Sequence, residues 1–300
     1  MKVSYKRKAK LDKKTLGVLV ILGASLMWAI EPILAKLSYE TTDFLNTFAT
    51  RIAFCLIVIT LYILFTNKKN FLVQKVYLPK LIYLSLVATL FADLMYIYAL
   101  TRVPVINAVL IGHMQPIFVI LIGFFMLKTD RITKFDYLGI VSMLIAGVLV
   151  TTINVENLRV LKFGSIGDLY VLCATIAWAT TAIVARKYLK ELHASTISFY
   201  RFLFATIIFI LYMILTTGIK IVNIYQVLIG IVIGIGTILY YEAIKLLKAA
   251  QVSALELSTP FFAVLLGVLV LREYISLMQF IGILFLFGGI YFLSKREVII

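Results

Sequence analysis

Acidic side chains are scarce in this chain, and so are the groups that most often do chemistry. Its 14 aspartates and glutamates stand against 29 lysines and arginines, with two histidines and two cysteines in 300 residues. Cys55 and Cys173 both fall inside apolar stretches, which leaves no disulfide framework and no Cys-x-x-Cys metal or redox site. No His-Glu-x-x-His, Gly-x-Ser-x-Gly or Cys/His ligand pair occurs, so a hydrolase or metalloenzyme would lack its reacting groups. No catalytic residue, metal or cofactor is therefore expected. The surplus of cations gives a formal charge of +15, which could suggest a nucleic-acid partner. The charge is concentrated in the N-terminal tail (Lys2, Lys6, Arg7, Lys8, Lys10, Lys13, Lys14) and in alternate short loops, a pattern that sets membrane orientation instead.

What fills the chain is apolar sequence. It is 63% hydrophobic and only 14% charged, with mean hydropathy +1.06, far from the soluble average. Apolar runs of about 19 to 25 residues, each long enough to cross a ~30 Å hydrocarbon layer, recur about ten times and leave no room for a soluble domain. Spanning helices are expected at 16–38, 44–66, 78–100, 104–127, 135–153, 166–187, 194–217, 223–247, 249–271 and 276–294. The first resembles a signal peptide in its basic flank, but its apolar segment is long and has no small-residue cleavage site, so it is read as the first span. Cation-rich loops at Lys68 to Lys80, Lys128 to Lys134 and Arg186 to Lys190 alternate with cation-poor ones, although Arg159, Lys162 and Arg272 blur the contrast. Both termini are thus placed in the cytoplasm, in a multi-pass protein of the cytoplasmic membrane.

The most specific signal is an internal repeat. Ala99 to Leu127 (ALTRVPVINAVLIGHMQPIFVILIGFFML) returns, altered, at Ala243 to Leu271 (AIKLLKAAQVSALELSTPFFAVLLGVLVL), each copy reaching a proline, Pro116 or Pro260, inside a new apolar helix. A shift of 150 carries Trp28 onto Trp178 and Arg51 onto Arg201, one of 144 carries Tyr96 onto Tyr240, and one of 143 carries Gly139 onto Gly282. Five helices per repeat is an odd number, so the second copy enters the membrane from the other side, and matched interruptions in two halves point to a transporter's binding site. The expected fold is an all-α membrane protein, ten transmembrane helices as two inverted five-helix repeats around a central cavity. Its parts are a basic tail (1–15), a first repeat (16–153), an outer linker (154–165), a second repeat (166–294) and a cytoplasmic C-terminus (295–300).

The five-plus-five layout, the starts SLMWAIEP and TIAWATTA, the arginine of TRIAF and of YRFLF, and the two proline units resemble the drug/metabolite transporter superfamily, EamA-type, across about residues 16–294. That resemblance implies a central cavity lined by helices 1, 3 and 4 and by helices 6, 8 and 9, with the fifth and tenth as scaffold.

Ionisable groups inside a bilayer are costly, so each is a site candidate. Glu31, Asp93 and His113 all lie roughly 10–14 Å below the outer helix ends at 1.5 Å per residue. With Trp28 and Tyr96 one turn away, they form an expected outer cluster. Glu256, with Ser253 and Thr259 on the same face, forms an inner one with Tyr240, Trp178 and Thr181. Pro116 and Pro260 mark the helix discontinuities. Arg51 and Arg201 are assigned a structural role, snorkelling or holding carbonyls between helices. Glu242 is expected to pair with Lys245 or Lys248, and Asp168 to favour the start of its helix.

These residues point to a secondary transporter that moves a small polar or amphipathic metabolite, an amino acid or related amine, outward by alternating access. Acids and tyrosines outnumber deep cations at the expected cavity, which favours a positive group on the substrate. Protonation of the buried acids is a candidate coupling step. Expected partners are the small-molecule substrate and the lipid bilayer, with no nucleic acid, in a monomer or homodimer. A flippase for a lipid or lipid-linked sugar is the alternative, and an intramembrane enzyme a remote one.

Overall fold

The computed structural model describes residues 13–127, 134–160, 164–247, 252, 255–256 and 258–294. Its elements are α1 (Lys13–Ser38), α2 (Phe44–Thr66), α3 (Lys75–Ala99), α4 in two pieces (Val105–Gly112 and Gln115–Leu127), α5 (Lys134–Thr152), α6 (Ile166–Tyr188), α7 (Ala194–Thr216), α8 (Ile224–Leu246), α9 (Ser258–Leu271) and α10 (Leu277–Ser294). No strand occurs among the described residues. Eight helices, α1 to α8, are long and apolar enough to cross a membrane, while α9 and α10 are shorter apolar helices. Residues 249–251, where the ninth span was expected to begin, lie outside the described set.

Local chemistry sets the helix ends. Asp43 accepts from the Asn46 backbone N–H at 2.8 Å and so starts α2, while Ser165 with Asp168, and Asn223 with Gln226, form reciprocal capping boxes before α6 and α8. Two helices depart from the uniform spans expected. In α3, Ser85–Asp93 is wound as a π-helix, a wider coil frequently found at functional sites. In α4 the break falls at His113 and Met114, and Pro116, which lacks the N–H a preceding turn would need, is the second residue of the new piece. Pro260 is the third residue of Ser258–Leu271; residues 255–256 are also helical, and 257 between them lies outside the described residues.

The chain's two halves pack on each other reciprocally. α1 lies along α8 and α3 along α6; α1 meets α9 and α4 meets α6; α2 meets α8 and α3 meets α7; α5 pairs with α10. Side chains repeat the pattern. The Trp28 and Tyr240 rings are 5.2 Å apart, and the Tyr96 and Trp178 rings, their repeat equivalents, 5.4 Å. Gly139 lies against Gly289, and its equivalent Gly282 lies against Ala146, so α5 and α10 approach at bare backbone. Gly288 and Gly289 face α5 of the same molecule.

Polar groups tie together the helix ends. The Asn223 side chain donates to the Ser38 carbonyl at 3.1 Å, and Asn107 donates to Asp168 (3.1 Å) and accepts from Gln279 (2.8 Å). The end of α1 and the starts of α4, α6, α8 and α10 therefore share one face of the bundle. At the opposite face the segment between α2 and α3 is held to α7, through Asn70 on Ser195 (2.9 Å) and Tyr200 on the Phe71 carbonyl (2.8 Å).

Candidate functional site

Four charged side chains converge in the interior, each delivered by a different helix. Arg51 of α2 donates through Nε to Glu31 of α1 at 2.5 Å and through a terminal nitrogen to Asp93 of α3 at 3.2 Å. Arg201 of α7 reaches the same Asp93 carboxylate from the other half, at 2.8 and 2.9 Å, and donates through Nε to Thr89 at 2.9 Å. The Trp178 indole N–H completes the shell at 2.7 Å from Asp93 Oδ1. Thr89 and Asp93 sit on one edge of the π-wound stretch, so both can meet Arg201.

Two acids and two arginines balance in formal charge, and that balance helps them stay inside. Burial strips water from an ion, and several charge-assisted hydrogen bonds on one carboxylate replace it. The Asp93 and Arg51 side chains are 3% and 6% exposed, whereas Arg201 is 28% exposed. Arg201 is thus the one member of this group with a sizeable open surface.

The expected outer cluster is assembled differently from its reading. Glu31 and Asp93 do share a site, but through Arg51. The sequence reading gave both arginines a role on carbonyls or at the interface; the unpaired acids make a far stronger claim on a guanidinium, and both arginines go to them. The acids therefore do not outnumber the deep cations here. Trp178 belongs with Asp93 and Tyr96, while Trp28 packs on Tyr240 across the halves. His113 sits at the break in α4 with its ring Nδ1 2.8 Å from the Val109 carbonyl one turn back. Glu256 lies just before α9, where its backbone carbonyl is 3.5 Å from the Ser25 hydroxyl. Ser253 lies outside the described residues. Thr259 is buried and Thr181 donates to the Trp178 carbonyl at 2.8 Å. Glu242 meets Lys245 at 2.6 Å and also takes the Tyr62 hydroxyl, which the sequence did not single out.

Two features at the face shared by the ends of α1 and α3 were also missed. An open cleft of about 410 Å³ is lined by Lys36, Tyr39, Asp43, Phe44, Leu100 and Thr101. Beside the start of α4, Glu273 accepts from the Val105 and Ile106 N–H groups at 2.7 and 3.1 Å, a cap supplied from the second half to a helix of the first. Glu273 follows directly on Arg272, whose φ is 55°, and no spacing rule forecasts that turn.

Two stretches, residues 15–152 and 165–295, match the model of the EamA-like transporter family. The chain belongs to the EamA-like transporter family. It is a multi-pass membrane protein, as that family and its apolar helices require. Among its relatives are uncharacterized transporters of Synechocystis sp. (26% identical over 209 residues, 64% of this chain and 58% of the relative) and of Methanothermobacter thermautotrophicus (25% over 214 residues, 70% and 62%). Protein LicB of Haemophilus influenzae is 23% identical over 202 residues, 65% of this chain and 68% of that protein. The matched stretch thus spans about three fifths of the first two relatives' length. A crystal structure that is 17% identical aligns over 92% of this chain and 96% of its own with a TM-score of 0.64, which marks a shared fold.

Proposed function

We propose that this protein is a secondary transporter of a small polar or amphipathic metabolite, working by alternating access between two inverted five-helix repeats, ten crossings in all. The observation that carries the reading is the buried Glu31–Arg51–Asp93–Arg201 cluster, which spans the seam between the halves. Deep ionisable groups on a seam between repeats belong to substrate paths more often than to scaffolding. The reciprocal Trp28–Tyr240 and Tyr96–Trp178 pairs support the two-fold relation; the end of α1 meets the start of α8 and the end of α3, and the starts of α4 and α6 meet beside them, which supports its inversion.

The substrate favoured is an amino acid or related amine-bearing compound. A site with two carboxylates and two guanidiniums suits a solute that carries both charges better than a bare amine, because each substrate charge finds a partner and none is left over. The cation-rich tail and loops favour both termini on the cytoplasmic side of the cytoplasmic membrane, and export is the direction of net flux proposed. Counterflow into liposomes loaded in turn with amino acids, polyamines and nucleosides, with and without a proton gradient, tests the reading. Accumulation of at least one labelled solute, abolished in folded Tyr96→Ala and Tyr240→Ala proteins, is expected; transport untouched by either substitution would refute the site.

A further inference from the structure

The two halves share their arginines but not their acids. The shift that carries Arg51 onto Arg201 carries Glu31 onto Thr181, and the shift that carries Tyr96 onto Tyr240 carries Asp93 onto Thr237. Arg51 is therefore neutralised inside its own repeat, by Glu31 at 2.5 Å and Asp93 at 3.2 Å. Arg201 finds threonines where those acids would be. Thr181 turns its hydroxyl to the Trp178 carbonyl, and Arg201 reaches across the seam for Asp93. Thr237 belongs to the same α7–α8 contact: Tyr241, one turn beyond it, meets the hydroxyl of Ser198, one turn before Arg201, at 2.9 Å.

Alternating access in such a pair exchanges the roles of the repeats, as the transport reading on which this inference rests requires. In the exchanged arrangement Arg51 keeps Glu31, but the positions around Arg201 equivalent to the two acids of Arg51 are the neutral Thr181 and Thr237. A guanidinium in a confined, partly dehydrated path that is left without a counter-charge is costly, and the equivalents of the two acids of Arg51 supply none. We infer that Arg201 is the specificity-determining residue for the substrate, which must carry a carboxylate that takes the place of Asp93 on this guanidinium and supplies the charge that Thr181 and Thr237 do not. Arg201 is open enough to be reached, at 28% exposure, and its planar fork matches a carboxylate. Asp93 tolerates the exchange because it keeps Arg51 at 3.2 Å and the Trp178 N–H at 2.7 Å.

The test uses purified full-length protein in liposomes and measures counterflow of a panel of α-amino acids against their amides, each pair differing in the carboxylate alone. The parent should favour at least one acid over its amide by about tenfold or more, the scale of a lost charged hydrogen-bond partner. Arg201→Gln should bring that ratio to about one, whatever its effect on total flux, Arg201→Lys should keep part of it, and Thr237→Asp, which supplies the charge internally, should reduce it with Arg201 in place. If Arg201→Gln fails to fold, the Thr237→Asp and Arg201→Lys proteins decide. A parent that moves solutes without discriminating acid from amide overturns this inference and leaves the transport reading standing, as does a ratio unchanged by both Arg201→Gln and Thr237→Asp. A parent that moves no solute of either kind overturns the transport reading and this inference with it.

Discussion

Arg51 is the residue on which the buried cluster depends most heavily. It alone contacts both acids, and replacing it by glutamine would leave Glu31 without a cation in a space closed to water. Breaking a buried pair on one side costs about 3–5 kcal/mol, whereas removing both charges costs far less. Arg51→Gln should accordingly lower the thermal midpoint in detergent sharply, and Arg51→Gln with Glu31→Gln should recover much of the loss. A single variant as stable as the parent would mean the pair is solvated. Asp43 offers a milder case outside the spanning segments. Burial pushes its carboxyl up, but hydrogen bonds from the Asn46 backbone and side chain and from the Leu45 backbone outweigh this and hold it below the ordinary carboxylate range. A depressed folded value adds stability that is full above the unfolded value and fades as pH falls through the folded one. Asp43→Ala should therefore lose about 1 kcal/mol near neutrality, and the gap to the parent should close in acid; melting curves taken across that range check the sign.

At the scale of helices, glycine sets how closely the halves meet. A Cβ on Gly230 of α8 would lie 2.6 Å from the Arg51 carbonyl and 2.5 Å from the Phe54 Cβ, contacts with α2 that only a shift of backbone could relieve. Gly230→Ala should destabilise by about 1–3 kcal/mol and loosen the very segment that carries Arg51. Gly112→Ala, whose added carbon would rest 3.8 Å from the Trp178 ring, should be nearly neutral, and equal melting points for the two variants would contradict this packing. Helix positions were largely legible in the sequence, because runs of Leu, Ile, Val and Phe of bilayer length leave little choice. The repeat equivalences were legible too, through Trp28, Arg51, Tyr96 and Gly139 at fixed offsets. The π-wound stretch of α3 was not, since its sequence SLVATLFAD differs in no systematic way from an ordinary apolar helix. Nor were the partners of Arg51 and Arg201. Depth arithmetic placed Glu31 and Asp93 at one level but could not say that arginines from α2 and α7 rotate into the same layer. The rotation of a helix is fixed by its neighbours, as where Gly230 and Gly234 of α8 press on α2.

For the molecule as a whole, reciprocity of contacts and asymmetry of charge act together. Packing treats the halves alike, pairing α1 with α8 as it pairs α3 with α6, so two arrangements of similar packing are available to one sequence. Charge distinguishes them, because Glu31 and Asp93 occur in the first half alone. All of this stands on the second half running opposite to the first, and loop sidedness tests that most directly. Glu40 and Lys190 are equivalent under the shift of 150 and both are exposed, which makes them suitable single-cysteine positions once Cys55 and Cys173 are replaced by serine. In intact cells a membrane-impermeant thiol reagent should label Glu40→Cys, and should reach Lys190→Cys only after the membrane is opened. Labelling of both from the same side would mean that the halves are parallel, and would contradict the account.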